Sequence, residues 1–350
     1  MSNQVALIEF NTWHHECLYS QILFLTKSGY EVLLICDIQK KKAVESFSGL
    51  GHISFDFFDF HKLSSFFKLR KLLVKNGIKN IILNTAQGSG ALKFSLLPLP
   101  SEKNIVGTIH NTAKLTSSIG QRIICKKLNA YYVLSEYIMP SLPKKNNLLA
   151  TFFYPSFFQK EVDFQDLPLK KDCLWFCIPG SIEYKRRDYD FLFEIGNYLK
   201  KIGKEKNAKF IILGKNRTKD GDKLLSKIKD LEMNDMFVTF DNFIPNRIFY
   251  AYLNASDYLL PLVHPNVEMA ESYTKNRISG TFTIAKGFNK CMLCHSMFSK
   301  VKLFDFQSKF YETPQEFWEQ ATNTLGTTDY HQSLDFEENR LRYIRLLSNK

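Results

Sequence analysis

No stretch of this sequence reaches the roughly 18 uninterrupted apolar residues that cross a bilayer. Its N-terminal VALIEF run is only strand-length before polar NTWHHE follows. Neither a membrane span nor a secretory leader is expected, which places the chain in the cytosol. Acidic residues are scarce, 35 Asp and Glu against 47 Lys and Arg, for a formal net charge of +12. Cysteine is sparse too. Seven residues, an odd number scattered along the chain, fit a reducing compartment and argue against a disulfide framework. Cys291 and Cys294, followed by His295 in KCMLCH, look like half of a zinc site. A second ligand pair is lacking, because Cys173 and Cys177 are four apart on an alternating strand, so buried thiols are expected instead. No RNA- or DNA-binding signature is present, and nucleic acid is not an expected partner.

What is there fits a folded chain of two ordinary domains. At 350 residues the sequence is too long for one typical core. Its first 150 residues hold 18 Lys and Arg against 9 Asp and Glu, so +9 of the net +12 lies in the N-terminal part. A basic half of this kind suits an anionic membrane surface or a phosphorylated substrate.

Apolar runs alternate with helical patterns throughout, the mark of parallel sheets wrapped by helices. Strands are expected at Val5–Phe10, Glu31–Asp37, His52–Phe60, Asn80–Ala86, Asn104–Asn111, Ala130–Tyr137 and Ala150–Pro155. Between them, Cys17–Lys27, Leu63–Gly77 and Ser118–Leu128 read as helices. Leu63, Phe66, Phe67, Leu69, Leu72 and Leu73 supply the apolar positions of the second, with cations between them; it reads as a core-facing helix with a solvated side, the alternative being a membrane-surface helix. Polar, Gly-containing QGSGA after Ala86 is placed to open a site at the C-terminal end of that strand. The same grammar restarts at DCLWFCIPG and runs through a strand and loop at Lys209–Arg217, a helix at about 221–231 that precedes MFVTFDNFIP, a short buried strand at Ala255–Val263, a helix at about 275–286 and a short strand at CMLCH. The expected domains are 1–155, a linker over 156–172, and 173–333, with residues 334–350 forming a helix that crosses back to the first domain. Two such βα domains place a ligand in the cleft between them.

The stretch from Cys177 to Asp190, CIPGSIEYKRRDYD, opens the second domain as strand, loop and helix start. Gly180 and Ser181 allow a sharp backbone turn, and Lys185, Arg186 and Arg187 add positive charge beside a helix N-terminus. Such a corner suits a phosphate or pyrophosphate.

The order of pieces from here on resembles the GT-B glycosyltransferases that use nucleotide sugars, particularly bacterial enzymes of surface polysaccharide synthesis in the large retaining group 1 family. GSIEYKRRDYDFLFEI is similar to that family's first loop of the nucleotide-binding domain, and FIILGKNR to its next strand. FIPNRIFYAYLNASDYLLPLV resembles the approach to the donor site. YTKNRISGTFTIAKGFNKCML resembles the helix under the donor sugar. In the N-terminal half the best match is IHN, with His110 and Asn111.

The resemblance implies an α/β fold of two Rossmann-like domains and transfer of a sugar, with retained configuration, from a nucleoside diphosphate sugar to a saccharide or lipid-linked acceptor. It implies that Gly180, Ser181, Lys185, Arg186, Arg187, Lys215 and Arg217 bind the donor nucleotide and phosphate. The family's usual Gly-Arg start is Gly180-Ser181 here. Many relatives flank the donor with two Glu separated by seven residues; Glu271 corresponds to the first, but Ser279 stands where the second belongs. Tyr273, Arg277 and Ser279 are the candidates for those contacts.

On the acceptor side, His110 at a strand end and His14 or His15 in the loop after the first strand are the candidate catalytic imidazoles, with Glu9 and Glu16 as weaker candidates for a base. The nucleoside diphosphate sugar is a co-substrate. No metal or other cofactor is expected. Basic excess in the acceptor-side domain points to a lipid-linked acceptor and to peripheral attachment at the inner face of a membrane. Two rivals are a nucleotide-sugar epimerase of the same shape and a non-catalytic binding protein with a degenerate donor site.

Overall fold

A computed structural model describes residues 3–11, 14–143, 148–159, 167, 170, 172–301, 308–323 and 335–347. The apolar runs become two sheets in which every strand pair is parallel. The first contains β1 (Gln4–Glu9), β2 (Glu31–Asp37), β3 (Ile53–Phe58), β4 (Asn80–Leu83), β5 (Asn104–Thr108), β6 (Ala130–Val133) and β7 (Leu149–Phe152) in the order 3-2-1-4-5-6-7. The second contains β8 (Leu174–Pro179), β9 (Ala208–Lys215), β10 (Phe237–Phe240), β11 (Tyr258–Leu259), β12 (Cys291–His295) and β13 (Ser308–Tyr311) in the order 10-9-8-11-12-13. The chain divides into two compact units, residues 1–158 with 334–350, and residues 159–333. Most of the stretch expected as a linker, 156–172, lies outside the described residues.

The strand sequences explain the sheets. Val5, Ala6, Leu7 and Ile8 are wholly buried, as are Phe176, Cys177 and Ile178. Runs without polar alternation are what a parallel sheet covered on both faces requires. In each sheet the chain steps outward over three strands and then crosses back to lie beside the first, so strand order reverses between β1 and β4 and between β8 and β11. Open α/β sheets bind ligands outside the carboxyl ends of the strands at such a reversal.

Two sequence expectations change and a third gains detail. The helix expected over 275–286 is two helices, Ala270–Lys275 and Gly280–Gly287, because extended Ser279 caps the second, its Oγ accepting from the Thr281 N–H at 3.4 Å. QGSGA, expected to open a site at the end of the strand Asn80–Ala86, forms the start of the helix Gly88–Ser95. The run Ala255–Val263 pairs only at Tyr258–Leu259. Pro261 has no N–H to give a ladder, and Leu262 sits at φ 52°.

The helix Phe336–Ile344 belongs to the first unit. Its Tyr343 is fully buried, stacks on Tyr132 with centroids 4.6 Å apart, and donates its hydroxyl proton to Gln21 Oε1 at 2.8 Å. In the second unit the rings of Phe176, Phe191 and Tyr311 surround Phe317 and dock the helix Pro314–Thr322.

Candidate functional site

At the end of β8, Gly180 adopts φ 105°, a backbone region that L side chains rarely occupy. Its N–H donates to the Leu213 carbonyl at 2.9 Å. A Cβ on the facing Gly214 would lie 2.2 Å from the Gly180 carbonyl oxygen, so the two strand ends close up only because Gly214 has no side chain. The loop then runs to the helix Asp190–Lys201. Its three cations divide. Arg187 donates to the carbonyls of Pro179 and Ser181, both at 2.6 Å, and so clamps the loop in shape. Arg186 Nε lies 3.1 Å from Glu183 Oε2, and exposed Lys185 lies 3.9 Å from that same oxygen. Ser181 is exposed on the bend. Lys215 is exposed at the end of β9, while Arg217 is 3.7 Å from Asp241.

Residues that the sequence did not single out hold this corner in place. Asp188 N–H donates to the Leu262 carbonyl at 2.8 Å, and the Met269 N–H donates to the Lys185 carbonyl at 3.3 Å. Asp188 Oδ2 accepts from His264 Nδ1 at 3.0 Å and Asn266 Nδ2 at 2.8 Å. The loops after β8 and β11, on either side of the strand-order reversal, are thereby joined. Burial pushes the Asp188 carboxyl up, but the donors from His264 and Asn266 outweigh it and hold it below the usual carboxylate range. His264, itself buried, also shares a 2.9 Å hydrogen bond between Nε2 and the Tyr311 hydroxyl. The neighbouring His295 is pushed down by burial and then by the nearby His264. The available signal was a His-Pro pair directly after a buried strand, but the partner Asp188 lies 76 residues away in sequence.

Beyond β11, Glu271 is exposed and pairs with Lys275 at 2.6 Å. Tyr273 is buried, with the Arg277 guanidinium carbon 5.2 Å from its ring centroid. Arg277 also reaches Met269 Sδ at 3.5 Å, and Ser279 Oγ is engaged as the helix cap.

In the first unit the strand ends bring Glu9, Asn84, Thr85 and His110 together. Glu9 is almost wholly buried, and its carboxylate accepts from Thr85 Oγ1 at 2.6 Å, from the Asn11 N–H at 2.7 Å and from Asn84 Nδ2. Burial nevertheless raises its pKa above the usual range. His110 Nε2 lies 2.9 Å from the Asn84 carbonyl, to which it donates. Gln87 Oε1 accepts from the N–H groups of His110 and Asn111, both at 2.9 Å, and fixes the strand end. The His14 ring stacks on His110 with centroids 3.8 Å apart. His14 itself has φ 64°, held by a hydrogen bond from Asn84 Nδ2 to its carbonyl at 3.0 Å. Glu16 is exposed, 3.4 Å from His14 Nδ1. The side chain of His15 lies outside the described residues.

In the two Asp-x-Asp spacings, Asp188-x-Asp190 and Asp220-x-Asp222, the carboxylates of Asp188, Asp190 and Asp220 make structural contacts. Asp190 pairs with Lys227 at 2.7 Å, and Asp220 accepts from the Tyr184 N–H at 2.9 Å. Among the described residues no group of three or more His, Cys, Asp or Glu is arranged to hold a metal. Cys294 is buried, and burial raises the Cys291 thiol to about 11.

No protein-family model matches the sequence. No curated protein matches it either. Solved structures do match over nearly the whole chain. A glycosyltransferase from Rickettsia africae ESF-5 aligns with TM-score 0.64 at 10% identity, covering 99% of this chain and 100% of that one. Anabaena HepE in complex with UDP-glucose aligns with TM-score 0.66 at 10% identity, again covering 99% and 100%. The UDP-GlcNAc 2-epimerase from Methanocaldococcus jannaschii aligns with TM-score 0.61 at 10% identity over 99% and 100%. At such identity the likeness carries the fold, and this chain has the two-domain α/β fold of GT-B glycosyltransferases and UDP-sugar epimerases.

Proposed function

We propose that the chain is a nucleotide-sugar glycosyltransferase of surface polysaccharide assembly, moving a hexosyl group from a nucleoside diphosphate to a saccharide or lipid-linked acceptor. The observation that carries this reading is the corner after β8. There an Arg187-clamped bend presents Lys185 and Arg186 at the strand-order reversal, where a diphosphate binds in folds of this kind. The known binders of UDP and UDP-glucose with this fold add support.

Breaking the sugar–phosphate bond builds negative charge on the leaving diphosphate. Lys185 and Arg186, with the backbone N–H groups of the Gly180–Ser181 bend, stabilise that charge as it grows. Arg187 acts by holding the bend, since its guanidinium already serves two loop carbonyls. Lys215 and Arg217 line the nucleotide, while Arg277, Tyr273 and Ser279 border the donor sugar in place of a second carboxylate. Exposed Glu271, paired with Lys275, fits the ribose hydroxyls only after that ion pair opens. In the acceptor-side unit, His110 is the candidate imidazole for a sugar hydroxyl, and its stacked partner His14 holds the ring plane.

Epimerisation is the competing reading, because solved epimerases share the fold. It needs no acceptor. Incubation with a panel of nucleoside diphosphate sugars separates the two: release of nucleoside diphosphate that depends on an added saccharide or polyprenyl-linked acceptor is expected. Conversion of the donor sugar to its epimer without any acceptor would replace this reading with the other.

A further inference from the structure

The first unit carries an unusual surface on the helices Leu63–Lys75, Gly88–Ser95 and Ile119–Lys127. These three lie side by side. Lys93 Nζ sits 5.6 Å from the Phe66 ring centroid, and Arg70 Nε donates to the Pro98 carbonyl at 2.7 Å. A Cβ on Gly120 would touch Leu92 at 3.6 Å, and Lys127 Nζ donates to the Leu97 carbonyl at 3.1 Å. The buried sides of Phe66, Leu69, Leu73, Phe94 and Ile124 supply the core.

Their outer sides are not plainly polar. Leu63, Phe67 and Val74 are exposed, Leu63 to 60% and Phe67 to 58%. Residues four and eleven apart fall within about 40° on an α-helix, so these three form one stripe. Ile119, 77% exposed, and Ile123 form a second stripe, and Leu96 is 68% exposed at the end of the middle helix. Exposed apolar residues scattered singly need no explanation, but these are aligned. Lys68, Lys71, Lys75, Arg122 and Lys126 border the stripes and are exposed themselves. Between Phe60 and Ser135 the sequence has one carboxylate side chain, Glu102, against twelve Lys and Arg.

We infer that this three-helix face docks on an anionic lipid bilayer, with the aligned apolar side chains entering the headgroup boundary and the bordering cations pairing with lipid phosphates. Apolar stripes flanked by Lys and Arg are the composition of interfacial helices. A protein partner fits less well, since Lys is depleted from protein interfaces and no counter-charge is built into this face. Nucleic acid accounts for the cations but not for the stripes. The inference stands on the face alone and does not need the transferase reading.

Vesicle flotation tests it. The full chain is expected to float with phosphatidylcholine vesicles containing phosphatidylglycerol at low salt and to stay behind with phosphatidylcholine alone. Replacing Lys68, Lys71 and Lys126 by Gln should cut partitioning about fivefold per cation, or about a hundredfold together. Phe67→Ser with Ile119→Ser should also cut it at unchanged charge. All five positions are exposed, so far-UV dichroism of both variants is expected to match the parent. Nucleoside diphosphate affinity, a property of the second unit, should not move in either variant, which keeps this test separate from that of the proposed activity. Equal binding to neutral and anionic vesicles, no binding to either, or unchanged partitioning of both variants would overturn the inference. So would preferential capture by polyuridylate over anionic vesicles, which would reassign the face to nucleic acid.

Discussion

At the scale of single residues, two carboxylates are pulled in opposite directions. Asp188 is held below its ordinary range by His264 and Asn266 in spite of burial. Its contribution to stability is therefore full above the unfolded-state value near 4 and is lost as pH falls through the lower folded value. Asp188→Asn should remove that acid-side loss, and Asp188→Ala should cost about 1–3 kcal/mol by leaving buried donors unmatched. Urea unfolding across acid pH reads both. Glu9 is raised instead, by burial. Between the ordinary carboxylate value and its raised one the folded state holds a proton that the unfolded chain has released, so stability falls as pH rises across that window and is level above it. Glu9→Gln should flatten the slope in the same measurement. Neither role was legible in the sequence. Glu9 looked like a weak base candidate because the donors that surround it, Asn84 and Thr85, lie 75 and 76 residues away. His110 was visible because it closes an apolar strand with a polar pair, a local signal.

Among the elements, the corner after β8 and the helix Phe336–Ile344 show what local pattern does and does not reveal. A strand followed by Pro-Gly and three cations marks a corner in any reading of the sequence. The division of labour within it depends on where Arg187 finds its acceptors, on carbonyls six and eight residues back. Gly214 had no sequence signal, because its need to be glycine comes from the neighbouring strand. Gly214→Ala should force the bend off Gly180 and weaken nucleoside diphosphate binding by tenfold or more, read by titration calorimetry, while leaving the first unit's hydrogen exchange unchanged. For the C-terminal helix, Tyr343→Ala should cost about 3–5 kcal/mol, the range for truncating a large buried aromatic. Its hydroxyl reaches Gln21, which hydrogen-bonds Asn84 and through it Glu9. The loss should therefore also appear as faster amide exchange around His110. The end of the helix Gly280–Gly287 was legible to within a residue, but not its start, since a Ser cap resembles any other Ser until its oxygen is seen on the Thr281 N–H.

Taken whole, the molecule separates its charge. Of the formal +12, +9 falls in the first 150 residues, and the face formed by the helices Leu63–Lys75, Gly88–Ser95 and Ile119–Lys127 concentrates it. Parallel sheets were legible because buried strands read as continuous apolar runs. Leu63 and Phe67 were misplaced on the core side, because helical spacing alone does not say which of two stripes faces inward. The nucleotide-binding role of the second unit is the claim on which the rest of the function depends. Titration calorimetry of the full chain with UDP, GDP, ADP and CDP tests it most directly. Saturable binding of at least one nucleoside diphosphate is predicted, weakened about a hundredfold or more when Lys185 and Arg186 are both replaced by Ala, as expected for losing charge-assisted contacts worth about 1.5–3 kcal/mol each. Binding of none of the four, or an affinity untouched by the double substitution, would contradict the account.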